Sequence, residues 1–189
     1  MVLFPSRLKF ARPPSRETQK LKLLYGVPQD YTEAAKWYRK AAEQGDADAQ
    51  KLLGVMYVKG EGVLQDYKEG IKWNLKAAEQ GLADAQFNLG IMYANGDGVP
   101  EDDTEAVRWY RKAAKQGHAN AQFNLGTMYT KGDGVPKDYA TACKWCWLAA
   151  VQGNERAKKL RSVLFEYMDK EQIKESFKLS REWMANRQE

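Results

Sequence analysis

Gly96-Asp97-Gly98-Val99-Pro100-Glu101-Asp102 is a glycine-rich turn, and Trp109-Tyr110-Arg111-Lys112-Ala113-Ala114-Lys115-Gln116-Gly117 is the body and end of the helix that follows it. The stretch recurs. Trp37, Trp73, Trp109 and Trp145 are spaced 36 positions apart. Gly45, Gly81, Gly117 and Gly153 keep the same spacing, as do Gly26, Gly62, Gly98 and Gly134. A fixed period of about 20–50 residues marks an array of supersecondary units, each too small to bury its apolar face alone. The chain is therefore read as all-α, an α/α superhelical solenoid of 36-residue helix-loop-helix repeats closed by a C-terminal capping helix.

The spacing divides the chain into a half repeat at 25–45, full repeats at 46–81, 82–117 and 118–153, a degenerate repeat at 154–168 and a capping helix at 169–189. Within each full repeat Ala49, Leu53, Met56 and Tyr57, or their equivalents, fall on one helical face. Gly54, Gly90 and Gly126 interrupt that helix at a cost of about 1 kcal/mol each against alanine. Such a recurring cost implies close approach of another helix, with its tryptophan as the expected neighbour. Asp30 with Glu33, Asp66 with Glu69, and Asp102 with Glu105 read as capping boxes at the second helix. In the degenerate repeat Leu160, Val163, Leu164 and Tyr167 form the expected stripe. In the last helix Ile173, Phe177 and Met184 are expected to face inward.

Charge is unevenly placed. Residues 1–24 hold six basic side chains and one acid, so the net charge of +5 resides there and the remainder is neutral. That segment breaks the repeat register and reads as a loosely docked tail, with a basic arm for an anionic partner as the alternative. A neutral array does not suggest a nucleic-acid surface, so no nucleic-acid partner is expected. No run approaches the roughly 18 apolar residues of a membrane span, and none has the make-up of a secretory leader. As written, the chain is expected to be cytoplasmic and monomeric, with the periplasm as the alternative if a leader is missing. Two cysteines do not make a disulfide framework.

The consensus A-x-x-x-L-G-x-M-Y-x-x-G-x-G-V-P-x-D-x-x-x-A-x-x-W-x-x-x-A-A-x-Q-G resembles the Sel-one-like repeat family, relatives of the tetratricopeptide repeats. The segment from Glu171-Gln172-Ile173 to Arg181-Glu182-Trp183 looks like the tail of many bacterial members. The resemblance implies stacked α/α hairpins in a right-handed superhelix and work as a protein–protein adaptor. It brings no catalytic residues. A cysteine-rich branch of the family has been described as β-lactamase, but its paired cysteines in every hairpin are absent here.

Little chemistry competes with that reading. The glycine loops lack the Lys-Ser/Thr of a phosphate-binding loop. Cys143-Lys144-Trp145-Cys146 lies inside a helix, in register with Val107 and Tyr110, and lacks further ligands for zinc. No catalytic residue, cofactor or metal is expected. Binding is assigned instead to the concave face, lined by the first helix of each unit. Positions there that lie off the core stripe vary between units. Lys51, Asn88, Ile91, Asn124 and Thr127 are the candidate groove for a protein or peptide, because asparagine both donates and accepts along an extended backbone. The competing reading has Phe87 and Phe123 packed between units and the asparagines bonded locally.

Overall fold

The computed structural model describes residues 30–186. They form nine α-helices and no strand. In order these are α1 (Tyr31–Glu43), α2 (Ala47–Lys59), α3 (Tyr67–Glu79), α4 (Ala83–Asn95), α5 (Asp103–Lys115), α6 (Ala119–Lys131), α7 (Tyr139–Val151), α8 (Glu155–Tyr167) and α9 (Lys170–Ala185). The basic segment 1–24, the loop 25–29 and residues 187–189 lie outside the described residues. The full units are the pairs α2/α3, α4/α5 and α6/α7, and the second helix of each packs on the first helix of the next.

The helices begin at side-chain caps. Asp30, Asp66, Asp102 and Asp138 each accept an N–H from the first turn of the helix they precede. The expected capping boxes are only half formed. The N–H groups of Asp66 and Asp102 already donate to the carbonyls of Tyr57 and Tyr93, both at 2.9 Å. Glu33, Glu69 and Glu105 therefore pair with Lys36, Lys72 and Arg108 on their own helices. Among the described residues, a reciprocal box closes only at Asp169 and Gln172, where the Asp169 N–H donates to the Gln172 side chain.

The tryptophans join units. Trp109 lies in one cluster with Ala77 and Ala78 of the preceding unit and with Ala85 and Leu89 of its own. Trp73 sits likewise with Ala42, Ala49 and Leu53. Paired alanines at the end of each second helix leave room for the next unit's indole. The interior glycines serve a different neighbour from the one expected. A Cβ on Gly90 would lie 2.5 Å from the Tyr110 ring, and one on Gly126 would lie 2.7 Å from Cys146 Sγ. On Gly54 it would lie 2.4 Å from Asn74 Nδ2. In each case the residue after the tryptophan, not the tryptophan, occupies the space.

A ladder of glutamines runs through the array. Gln50, Gln86 and Gln122 are buried and donate to the carbonyls of Ala42, Ala78 and Ala114 in the preceding unit. Gln80 donates to Gln50 and to the Gly45 carbonyl, Gln116 to Gln86 and Gly81, and Gln152 to Gln122. Each junction thus adds a side-chain donor to a helix-end carbonyl that also accepts the N–H of Gly45, Gly81 or Gly117.

The closing unit departs from expectation. In α8, Ala157 and Leu164 are buried, whereas Val163 and Tyr167 are exposed. Arg161 takes the position of Leu53, Leu89 and Leu125. Helix α9 crosses back to pack on α7. Its inner face carries Ile173, Ser176, Leu179, Ser180 and Trp183, while Phe177 and Met184 are exposed. Serines let α9 approach α7 closely, so small residues occupy the contact that large apolar ones were expected to fill.

Candidate functional site

The residues at positions 51, 87 and 123, one repeat column, each meet the start of the next unit's first helix, with different chemistry each time. Lys51 Nζ lies 3.0 Å from Asp84 Oδ2 and also faces Asp48. Phe87 stacks on His118, with centroids 4.5 Å apart. Arg156 lies over Phe123, 4.5 Å from its centroid. These residues tie unit to unit, and Phe87 and Phe123 pack between units.

One position further on, the asparagines contact the second helix of the preceding unit. Asn88 Nδ2 donates to Asn74 Oδ1 at 3.1 Å, and Asn74, fully buried, donates in turn to the Gly70 carbonyl. Asn124 bonds the Tyr110 hydroxyl, whose pKa burial holds above its usual value near 10.0. Both asparagines remain half-buried, as do Ile91 and Thr127. Ile91 packs on the core cluster around Tyr110. The Thr127 hydroxyl donates to the Phe123 carbonyl. Lys51, at the far end of the row, is held by its two aspartates.

Asn124 and Thr127 open into a groove of about 460 Å³ beside α6. Phe123 and Arg156 form one end; Asp103, Glu101 and Asp133 form the other. Sequence reasoning reached the middle of this groove and missed its ends, because Asp103 and Arg156 come from α5 and α8. The signal that finds them is a comparison of each repeat column across units, not the pattern within one helix.

The cysteines lie elsewhere. Cys143 and Cys146 are buried free thiols on α7. Burial pushes Cys146 up to about 12 and raises Cys143 as well. Reactive thiolates need the opposite environment. Among the described residues, no cluster of histidine, cysteine or carboxylate groups could hold a metal ion, and no helix is long and apolar enough to cross a membrane.

The Sel1 repeat family profile matches residues 22–46, 47–82, 83–118 and 119–154, well over half of the chain. The chain belongs to the Sel1 repeat family. Among solved structures it is similar to a Sel1 repeat protein from Oxalobacter formigenes, with 41% identity and a TM-score of 0.69 over 76% of this chain and 58% of that one. It is also similar to c5321, a protective antigen of uropathogenic Escherichia coli strains displaying an SLR fold, with 30% identity and a TM-score of 0.62 over 88% and 44% of the two chains. The cysteine rich protein B of Helicobacter pylori matches at 25% identity and a TM-score of 0.57, over 71% of this chain and 96% of that one. The chain thus spans about half the length of the first two relatives. No curated protein matches it. Sel1 repeat proteins are in general scaffolds for protein–protein interaction.

Proposed function

We propose that this Sel1 repeat chain is a non-catalytic adaptor that holds an extended segment of a protein partner along its first helices, at Lys51, Asn88, Ile91, Asn124 and Thr127. One observation carries the reading. The core positions that repeat are buried, while two of those that vary between units, Asn124 and Thr127, line an open groove with polar side chains of spare hydrogen-bonding capacity. An asparagine amide offers two donors and an acceptor, and one bond to the neighbouring unit leaves the rest for a peptide backbone. Structural columns are fixed by packing; a surface that reads a partner has to differ from unit to unit.

The test is a pull-down with mass spectrometry, followed by titration of the identified partner against the double variant Asn88→Ala with Asn124→Ala. Affinity should fall at least tenfold with the helical circular dichroism unchanged. Unchanged affinity would move the interface to the loops or the second helices. Turnover of nitrocefin that a single substitution abolishes would overturn the non-catalytic part.

A further inference from the structure

The groove beside α6 departs from the repeat at both of its ends. In the column of Asp103 the other units carry Tyr31, Tyr67 and Tyr139. In the column of Arg156 they carry Asp48, Asp84 and Asn120. The second change reverses the charge, and it does so against the local field. A cation in the first turn of a helix faces the positive end of the macrodipole, where Asp48 and Asp84 are favoured. Among the described residues, neither Arg156 nor Asp103 nor Glu101 has an ion-pair partner; Arg156 rests only on the face of Phe123. The contact with Phe123 places the Arg156 side chain but leaves its charge without an anion, and α5 and α8 bring it and Asp103 to one groove.

The two ends have opposite sign and a defined separation. Arg156 sits over Phe123, near the start of α6. The Asp103 carbonyl lies against Gly134, just past its end. From Phe123 to Lys131 the helix rises roughly 12 Å, the span of about four residues of extended chain. Asn124, Thr127 and the Tyr110 hydroxyl lie between the charged ends. Lys131 lies 3.8 Å from Asp133, which leaves Asp103 and Glu101 as the unpaired acids of that end.

We propose that this groove selects an extended peptide with one acidic and one basic side chain about four residues apart, the acid seated at Arg156 and the base at Asp103 and Glu101. The assignment rests on the reading that the first helices form the binding surface, and it adds the polarity of the partner. The cited columns also supply stable controls. Arg156→Asp and Asp103→Tyr place there residues that other units carry, so each should keep the helical fold.

The probes are two fluorescein-labelled peptide pools, X-Glu-X-X-X-Lys-X and X-Lys-X-X-X-Glu-X, with a pool in which glutamine replaces both charges. Fluorescence polarisation should show one charge order bound at least tenfold more tightly than the other two pools. Arg156→Asp and Asp103→Tyr should each remove that preference with the helical circular dichroism unchanged. Equal binding of all pools, no binding of any, or a preference that survives both substitutions would overturn the polarity. A natural partner lost with Asn88→Ala and Asn124→Ala but kept with Arg156→Asp would leave the surface standing and the polarity refuted. A partner indifferent to both sets would refute both.

Discussion

At the scale of single residues, the same side chain does different amounts of structural work along the array. Trp109 is 5% exposed and spans two units, whereas Trp37 is 39% exposed. Trp109→Ala should therefore cost about 3–5 kcal/mol, the usual penalty for truncating a buried aromatic, and Trp37→Ala clearly less. Urea denaturation of the two variants checks this, and equal losses would contradict it. The indole N–H of Trp109 is buried without a hydrogen-bond partner, so the ring's contribution is contact rather than bonding. A lysine covers that ring: Lys112 Nζ lies 4.0 Å from its centroid, and Lys76 does the same at 4.3 Å for Trp73. The tryptophan period was the plainest signal in the sequence because burial fixes residue type. The neighbour of Gly90 was not legible, because periodicity gives the spacing of a face but not which of two adjacent residues enters the gap.

At the scale of the helix, α6 differs from the rest in its start. His118 is the chain's only histidine, and its Nδ1 accepts the Ala121 N–H at 3.1 Å. That bond needs the neutral ring. Burial lowers the pKa of His118, against the opposing pull of Asp84, whose Oδ1 lies 3.5 Å from Nε2. Lys51, paired with the same aspartate, is the other charge at this junction. A histidine depressed on folding contributes stability above its unfolded pKa of about 6.5, and that stability is lost as pH falls through the lower folded value. Melting temperature should thus fall more steeply below about pH 6.5 in the wild type than in His118→Asn, which copies the cap that Asn154 gives α8. Parallel curves would show that the cap does not titrate. Helix α9 marks the limit of legibility at this scale. Ile173 packs inward as its spacing suggests, but Phe177 and Met184, chosen by the same pattern of large apolar residues, are exposed. The docked face is set by how closely α7 approaches, and Ser176 and Ser180 answer to that distance rather than to hydropathy.

At the scale of the whole molecule, cohesion comes from junctions between neighbours, as in any one-dimensional array. The glutamine ladder is the polar part of each junction. Gln86→Leu would remove one of two donors to the Ala78 carbonyl, which keeps the Gly81 N–H, and one of two acceptors of the Gln116 amide, which keeps the Gly81 carbonyl, so the loss should be that of ordinary hydrogen bonds, about 0.5–1.5 kcal/mol each. Denaturation monitored by circular dichroism should show that loss; a neutral result would mean that water replaces the ladder. This ladder's residues were all visible as columns, but that Gln50, Gln86 and Gln122 are buried was not, since glutamine is ordinarily a surface residue. The ladder is the same at every junction, whereas the contact between first helices is not: Lys51 meets Asp84, Phe87 meets His118, and Phe123 meets Arg156. The array thus combines a universal coupling with a keyed one. Exchange the first two full units, and the ladder would re-form while Phe87 met Asp46 and Lys51 met Asn120, the counterparts of His118 and Asp84. The order of the units is written into the protein as a serial code, one key per joint.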